Sequence, residues 1–234
     1  MNNVTYHESL KEAKKLLKSF GVLKDVGILD NNFSSELRKV SKSKNIIEVH
    51  NYITSNSQYS FLLEDDSIFQ FSFKNGELRY SFIQTPYKYI DINQYAELLF
   101  DYEFLNDMIE ESSVEELHSV LRDDYEQFLE TQSISSNFNY IRYDYSDVGY
   151  MPMLHSKSHF HIGTNNDLRI PVSKYVSPLK FVKFCLKNTY YKKWKEFFAK
   201  ISDKREFLRD IKAECILLQS EDWNIDEENE FFIN

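Results

Sequence analysis

The segment from residue 139 to residue 172 constrains the fold most strongly, because three short runs within it alternate apolar and polar side chains. Such a period of two is typical of β-strands that have one buried face and one polar face. The apolar positions are Ile141, Tyr143, Tyr145, Phe160, Ile162, Leu168, Ile170 and Val172, and the polar positions are Arg142, Asp144, His159, His161 and Arg169. If these strands pair, the sequence predicts that the five polar side chains meet on one face of a sheet.

A second group of strands is predicted upstream, between residues 60 and 83, where aromatic residues recur at alternate positions. Asn75-Gly76 separates two of them, and Asn-Gly is the favoured two-residue hairpin turn because both positions need a positive φ. Helical patterns lie before, between and after the two strand groups. This order predicts an α+β fold with a central antiparallel sheet of about six strands, in two three-strand groups, flanked by N-terminal, middle and C-terminal helices.

The composition predicts one domain spanning residues 1–234, because only 5 Gly and 4 Pro leave little room for flexible linkers. The formal net charge is -9, which argues against a general nucleic-acid coat but leaves room for local basic patches. The segment 221–234 contains no lysine or arginine and ends in apolar residues, so it is interpreted as an acidic docking tail.

The sequence also predicts a cytoplasmic protein. Cys185 and Cys215 lie in helical patterns and are not spaced as metal ligands, which makes a disulfide framework unexpected. The N-terminus has no signal-peptide pattern, and no apolar run reaches the roughly 20 residues of a membrane span. No membrane partner is therefore expected.

Two kinds of chemistry suit the polar positions of the central strands. His159 and His161 can bind a divalent metal ion through two imidazoles, with His155 or Asp144 as a third ligand. Alternatively, one histidine can remove a proton and the other can donate one in metal-free phosphodiester chemistry, with Arg142 or Arg169 stabilising the charged transition state. In a third interpretation the polar face merely meets water, and an Arg142–Asp144–Arg169 ion pairing completes it without chemistry.

A basic, aromatic segment follows the central strands. Ser177-Pro178 predicts a helix start, and a change in the apolar stripe predicts a break near Asn188-Thr189. Lysines neutralise phosphate charge and aromatic rings stack on unpaired bases, so this segment is a predicted nucleic-acid contact. The lysines concerned are Lys180, Lys183, Lys187, Lys192 and Lys193. The competing interpretation is that Trp194 and Phe198 belong to the core.

Several of these motifs together resemble a known family. The run Ile141-Arg-Tyr-Asp-Tyr, the group around His155 and 158–163, Arg169-Ile-Pro171, and the segment 177–190 resemble an uncharacterised bacterial family. That family is a domain of unknown function which is encoded beside a helicase in some antiphage-defence loci. The resemblance covers residues 60–200 and is densest in 140–190. It implies a bacterial defence setting and a helicase partner, and it brings no reaction with it.

Three hypotheses about function follow. In the first, the chain is an accessory or effector subunit of a helicase-linked antiphage system that acts on nucleic acid or nucleotides as a nuclease or phosphodiesterase-type hydrolase. Its catalytic candidates are Arg142, Asp144, His155, His159, His161 and Arg169. In the second, the chain is a non-catalytic adaptor that binds a partner. In the third it is a toxin, since the Arg-Tyr-Asp, His and His-x-His order is similar to that of some toxin components of toxin–antitoxin pairs.

Overall fold

The computed structural model describes residues 2–29, 33–42, 45–87, 90, 92–101, 103–105, 107, 113–131, 138–164 and 168–230. Two compact units are present. Residues 1–84 and 138–234 form the first unit, and residues 85–137 form the second. The first unit contains the sheet and every predicted site residue.

The first unit is built on a single open antiparallel sheet of seven strands, which lie side by side in chain order. The prediction of one antiparallel sheet is confirmed, and the predicted strand number was one short. The strands are β1 Leu23–Val26, β2 Phe61–Leu63, β3 Ile68–Lys74, β4 Glu77–Ile83, β5 Tyr140–Tyr145, β6 Ser158–Ile162 and β7 Arg169–Pro171. The additional strand is β1, a four-residue edge strand with two charged residues at its centre, which gives it no alternating pattern.

The turn between β3 and β4 follows the predicted hairpin geometry. Asn75 has a φ of 53° and Gly76 a φ of 84°, so both turn residues adopt the positive φ that the tight turn requires. Beyond this hairpin, β4 pairs with β5, with Tyr80 opposite Tyr143. This pairing joins the two predicted strand groups into one sheet.

Nine helices have both of their bounds within the described part of the chain: α1 Asn3–Phe20, α2 Ser35–Val40, α3 Ile46–Ser55, α4 Ile92–Leu99, α5 Val114–Thr131, α6 Pro178–Thr189, α7 Tyr191–Ala199, α8 Lys204–Ala213 and α9 Ile225–Glu230. Ser177 caps α6 by accepting a hydrogen bond from the Lys180 amide at 3.1 Å, with Pro178 in the first turn. The predicted break is confirmed, because Tyr190 leaves helical geometry between α6 and α7. None of the described helices combines the length and apolar character needed to cross a membrane.

The apolar face of the sheet carries the main core, which α1 and α6 complete. Phe181 of α6 is fully buried and lies at the centre of this core. Its ring centroid is 5.6 Å from that of Tyr80, 6.0 Å from that of Phe71 and 6.2 Å from that of Phe160. The core therefore fixes β3, β4 and β6 against one helix.

The opposite face of the sheet is divided into an apolar end and a polar end. At the apolar end, Ile68 and Ile83 pair across β3 and β4 and pack with Val49 and Ile53 of α3. Toward the other ends of β4, β5 and β6 the same face carries charged and histidine side chains. This polar end is the location of the candidate site.

The second unit has a small core of its own. Ala96 of α4 packs with Leu117 and Leu121 of α5. The Tyr125 hydroxyl donates a hydrogen bond to the carbonyl of Ile90 at 2.9 Å.

Candidate functional site

Two cross-strand rows place the predicted polar side chains next to one another. In one row Arg79 of β4 lies opposite Asp144 of β5, which lies opposite His159 of β6. In the neighbouring row Arg142 lies opposite His161, which lies opposite Arg169 of β7. Directly opposed residues in antiparallel strands have Cβ atoms about 5 Å apart, so the register alone brings these groups together.

Asp144, His159 and His161 converge on one point. All three are buried, and each offers one ligand atom such that these atoms lie within 4.8 Å of one another. The Nε2 atoms of His159 and His161 are 3.0 Å apart. Oδ2 of Asp144 is 3.6 Å from Nε2 of His161. The predicted meeting of these three side chains is therefore seen in the structure.

Two arginines hold the Asp144 carboxylate in place. Arg142 donates from Nε to Oδ2 at 2.9 Å, and Arg79 donates from Nε to Oδ1 at 3.0 Å. The Arg79 side chain is 70% exposed, so its ion pair is worth less than that of the mostly buried Arg142. The third interpretation of the sequence pairs Asp144 with Arg142 and Arg169, whereas in the structure the second arginine is Arg79.

The hydrogen bonds of His159 fix its tautomer. Its Nδ1 lies 2.7 Å from the carbonyl oxygen of Ser156, which can only accept, so Nδ1 donates and Nε2 carries a lone pair toward His161. When both histidines are neutral, Nε2 of His161 donates a hydrogen bond to Nε2 of His159. The buried Nδ1 of His161 then has no hydrogen-bond partner among the described residues. Burial, followed by the charge of Arg142, lowers the pKa of His161 to about 4. Burial also lowers the pKa of His159.

The donor set suits a divalent metal ion that prefers nitrogen and oxygen ligands. Two imidazoles and one carboxylate leave coordination positions for water or substrate, as in catalytic sites. Histidine ligands of metal ions typically donate their other ring N–H to a carbonyl or carboxylate, which orients the ring, and His159 Nδ1 makes such a bond to a backbone carbonyl. Bonds of about 2.1 Å from each nitrogen need only a slight opening of the 3.0 Å separation.

The geometry is less suited to the metal-free interpretation. A histidine base and a histidine acid must approach different oxygens of the same phosphate. Here the two Nε2 atoms face each other at hydrogen-bond distance, so they cannot stand on either side of a phosphate without a rearrangement of both rings.

A cavity of about 390 Å³ opens beside this cluster and is lined in part by His159, His155 and Arg169. The His155 ring centroid is 5.1 Å from that of His159, and its Nδ1 donates to the Gly149 carbonyl at 2.6 Å. Arg169 is exposed at the cavity and lowers the pKa of His159 as a minor cause. The structure thus groups Arg142, Asp144, His159 and His161 and places His155 and Arg169 at the approach to them.

The C-terminal segment contributes site residues that sequence reasoning missed. The buried Glu227 of α9 accepts hydrogen bonds from the Ser156 hydroxyl at 3.0 Å and the Tyr150 hydroxyl at 3.1 Å, and it lines the cavity. Asp222 forms an ion pair with Lys157. Residues 221–230 of the predicted docking tail thus pack on the loop that precedes β6, and 231–234 lie outside the described residues.

A sequence signal for this packing does exist. Asn224 caps α9 by accepting hydrogen bonds from the amides of Asp226 and Glu227, each at 2.9 Å. A tryptophan just before such a cap, at position 223, indicates a short docked helix rather than a free tail.

We expect replacement of Glu227 by Ala to lower the free energy of unfolding by about 1–3 kcal/mol, because the hydroxyls of Ser156 and Tyr150 lose their acceptor. Urea unfolding measures this change. Glu230→Ala is the matched control on the exposed side of the same helix and should change the value by less than about 0.5 kcal/mol. Equal effects of the two substitutions would contradict a structural role for Glu227.

The predicted nucleic-acid lysines lie on α6 and α7, away from the site. Helix α6 covers the apolar face of the sheet through Phe181, whereas Asp144 and the histidines project from the opposite face. Lys193 donates to the Gly21 carbonyl at 2.9 Å at the end of α1, so one of these lysines also has a structural contact. Lys180, Lys183, Lys187, Lys192 and Lys193 therefore do not form one surface with the candidate site.

Lys183 gives a testable pH dependence. Partial burial, then the charges of Lys180 and Lys187, lower its pKa from 10.5 to about 8. At pH values between these two pKa values, Lys183 is protonated in the unfolded chain and neutral in the folded chain. The free energy of unfolding therefore rises with pH over this range because of Lys183. We expect Lys183→Gln to stabilise the chain most below pH 8 and progressively less up to pH 10.5. Urea unfolding across this range measures the difference, with the exposed Lys192→Gln as control. If Lys183→Gln raises the free energy of unfolding by the same amount at every pH, the lowered pKa of Lys183 is contradicted.

Comparison with known proteins places the chain in a family. No curated protein and no solved structure matches it. Residues 25–221 match the family described as "Uncharacterized conserved protein (DUF2290)", and this segment contains strands β2 to β7 with all six predicted site residues. Because the match spans most of its length, the chain belongs to the DUF2290 family of uncharacterised conserved proteins.

Proposed function

We propose that the chain is a metal-assisted phosphodiester hydrolase that acts on nucleic acid or nucleotides as an effector subunit of a bacterial helicase-linked antiphage system. The observation that supports this proposal is the convergence of Asp144, His159 and His161 beside an open cavity. The buried Nδ1 of His161 has no hydrogen-bond partner among the described residues, and a cluster of buried titratable groups beside a cavity is typical of functional sites.

The residues divide the work as follows. His159, His161 and Asp144 would hold a divalent ion, which would supply an activated water and polarise a phosphoryl oxygen. Arg142 keeps the Asp144 carboxylate oriented through its 2.9 Å hydrogen bond. Arg169, exposed at the cavity, attracts the substrate phosphate and stabilises the charge that develops on it.

A partner that delivers the substrate agrees with the charge of the chain. A net charge of -9 repels a polyanion at long range, so unaided capture of nucleic acid should be slow. A helicase that supplies an unwound strand would remove this barrier. The resemblance to a family encoded beside helicases supports the same assignment.

The test is cleavage of labelled single-stranded oligonucleotides, with and without the helicase subunit. We expect no cleavage in EDTA and cleavage after addition of Mn²⁺, Co²⁺ or Zn²⁺. Asp144→Asn should lower the rate at least about tenfold because it removes the charged ligand, whereas His118→Ala in the second unit should not. Absence of cleavage under every metal condition, with the helicase present, would contradict the proposal.

A non-catalytic adaptor is the second candidate, and one observation favours it. Arg79 and Arg142 already satisfy both oxygens of Asp144 without any metal ion. If the chain is an adaptor, the wild type and Asp144→Asn should copurify with the helicase equally well, and neither should show metal-dependent cleavage.

A further inference from the structure

The cavity beside His159 has an apolar wall. Met153, Leu154 and Trp223 line it, and the Leu154 side chain is 75% exposed. Exposed apolar side chains at the rim of a cavity are typical of ligand sites that bury a flat or apolar group. The volume of about 390 Å³ lies within the range of about 300–1,000 Å³ for small-ligand pockets.

The positive and negative residues of the cavity wall belong to different elements. Glu227 accepts a hydrogen bond from the side chain of Ser156, three residues before His159 in the chain. Arg169 is opposite His161, two residues after His159. Glu227 belongs to α9 and packs on the loop before β6, whereas Arg169 belongs to β7. The cavity therefore has a cationic end and an anionic end.

We infer that this cavity binds one unpaired nucleotide, with its phosphate toward Arg169 and its base against Met153, Leu154 and Trp223. The inference rests on the proposed function for the phosphate end, and it names the substrate class of that site. A base paired within a duplex has its faces and edges covered, so it enters such a cavity only after it leaves the stack. The substrate is accordingly a single strand, a strand end or a free nucleotide.

The anionic end adds a base preference. Glu230 is exposed on the cavity wall, and a carboxylate there accepts a hydrogen bond from an exocyclic amino group, such as N4 of cytosine. Uracil presents a carbonyl oxygen at that position. This oxygen and the carboxylate oxygen are both hydrogen-bond acceptors, so no hydrogen bond can form between them. Glu227 and Glu230 also repel a phosphate, which fixes the direction in which the nucleotide lies.

Fluorescence of Trp223 provides the test. The chain has 2 Trp, so Trp194→Phe leaves Trp223 as the single reporter in the cavity wall. This protein is titrated in EDTA with cytidine monophosphate, uridine monophosphate, cytidine and inorganic phosphate. Cytidine monophosphate should change the emission saturably, and uridine monophosphate and cytidine should each bind about tenfold more weakly. Inorganic phosphate should leave the emission unchanged.

Two surface variants separate the ends of the cavity. Arg169→Ala should weaken cytidine monophosphate about tenfold or more and leave cytidine unchanged, because only the phosphate contact is lost. Leu154→Asp should weaken both ligands, and its exposure makes a folding defect unexpected. Unchanged affinity for cytidine monophosphate in both variants would overturn the inference, and equal affinity of wild type for the two monophosphates would overturn the role of Glu230.

The outcome is independent of catalysis because EDTA removes divalent ions. Nucleotide binding without any metal-dependent cleavage would contradict the proposed function alone. If the protein cleaves single strands but cytidine monophosphate does not change the emission of Trp223, this inference alone is contradicted.

Discussion

Replacement of both His159 and His161 by alanine is expected to abolish metal binding and to reduce metal-dependent cleavage about a thousandfold or more. The two imidazoles supply two of the three convergent donor atoms, and Asp144 alone, already paired with two arginines, cannot retain an ion. A bound ion contributes several kcal/mol to phosphoryl transfer, and each 1.4 kcal/mol is about a factor of ten in rate.

Metal binding has a readout of its own. A ligand that binds only the folded state raises the melting temperature, so Co²⁺ or Zn²⁺ should stabilise the wild type and leave the double variant unchanged. The control is His118→Ala, whose ring bonds to Asn93 in the second unit and should not alter the metal effect. An identical thermal shift in wild type and double variant would contradict the assignment of these ligands.

Replacement of Phe181 by alanine is expected to lower the free energy of unfolding by about 3–5 kcal/mol. The ring is fully buried and lies within 6.2 Å of four aromatic rings, those of Phe69, Phe71, Tyr80 and Phe160. Its removal leaves a cavity that these neighbours, which lie on three strands, cannot fill without moving together. Chemical unfolding followed by circular dichroism measures the loss.

Tyr191→Ala on the next helix is the matched control, because the Tyr191 side chain is largely exposed. It should change the free energy of unfolding by about 0.5 kcal/mol or less. A loss below about 1 kcal/mol for Phe181→Ala would mean that α6 is not the element that closes the core.

The site could be predicted where its geometry depends on local alternation. The alternation with a period of two predicts that Arg142 and Asp144 share one face of their strand and that His159 and His161 share one face of theirs. Antiparallel pairing of the two strands then brings these two pairs together. The same alternation placed Tyr143 and Phe160 in the core. A shift of one residue would move the apolar side chains of a strand to the polar face, so only one register buries them. Sequence and structure therefore agree at these residues.

Other residues of the site depend on long-range register or docking, which no local pattern encodes. Arg79 reaches Asp144 only because β4 lies beside β5, although the two residues are far apart in the chain. Glu227 reaches Ser156 only after α9 docks through Trp223. Strand β1 was missed because its central Lys24-Asp25 pair belongs to an edge strand, where neither face needs to be apolar.

The pairing of β4 with β5 has a further consequence for how such a protein can change. Residues 84 and 139 already meet, with the Gln84 amide donating to the Asn139 carbonyl at 2.9 Å, and all of 85–137 is inserted between them. The closure entropy of a loop grows only logarithmically with its length, so the insertion costs the sheet little. A short turn, or an unrelated module, could occupy this position during evolution or engineering while the cluster of histidines and arginines kept its alignment.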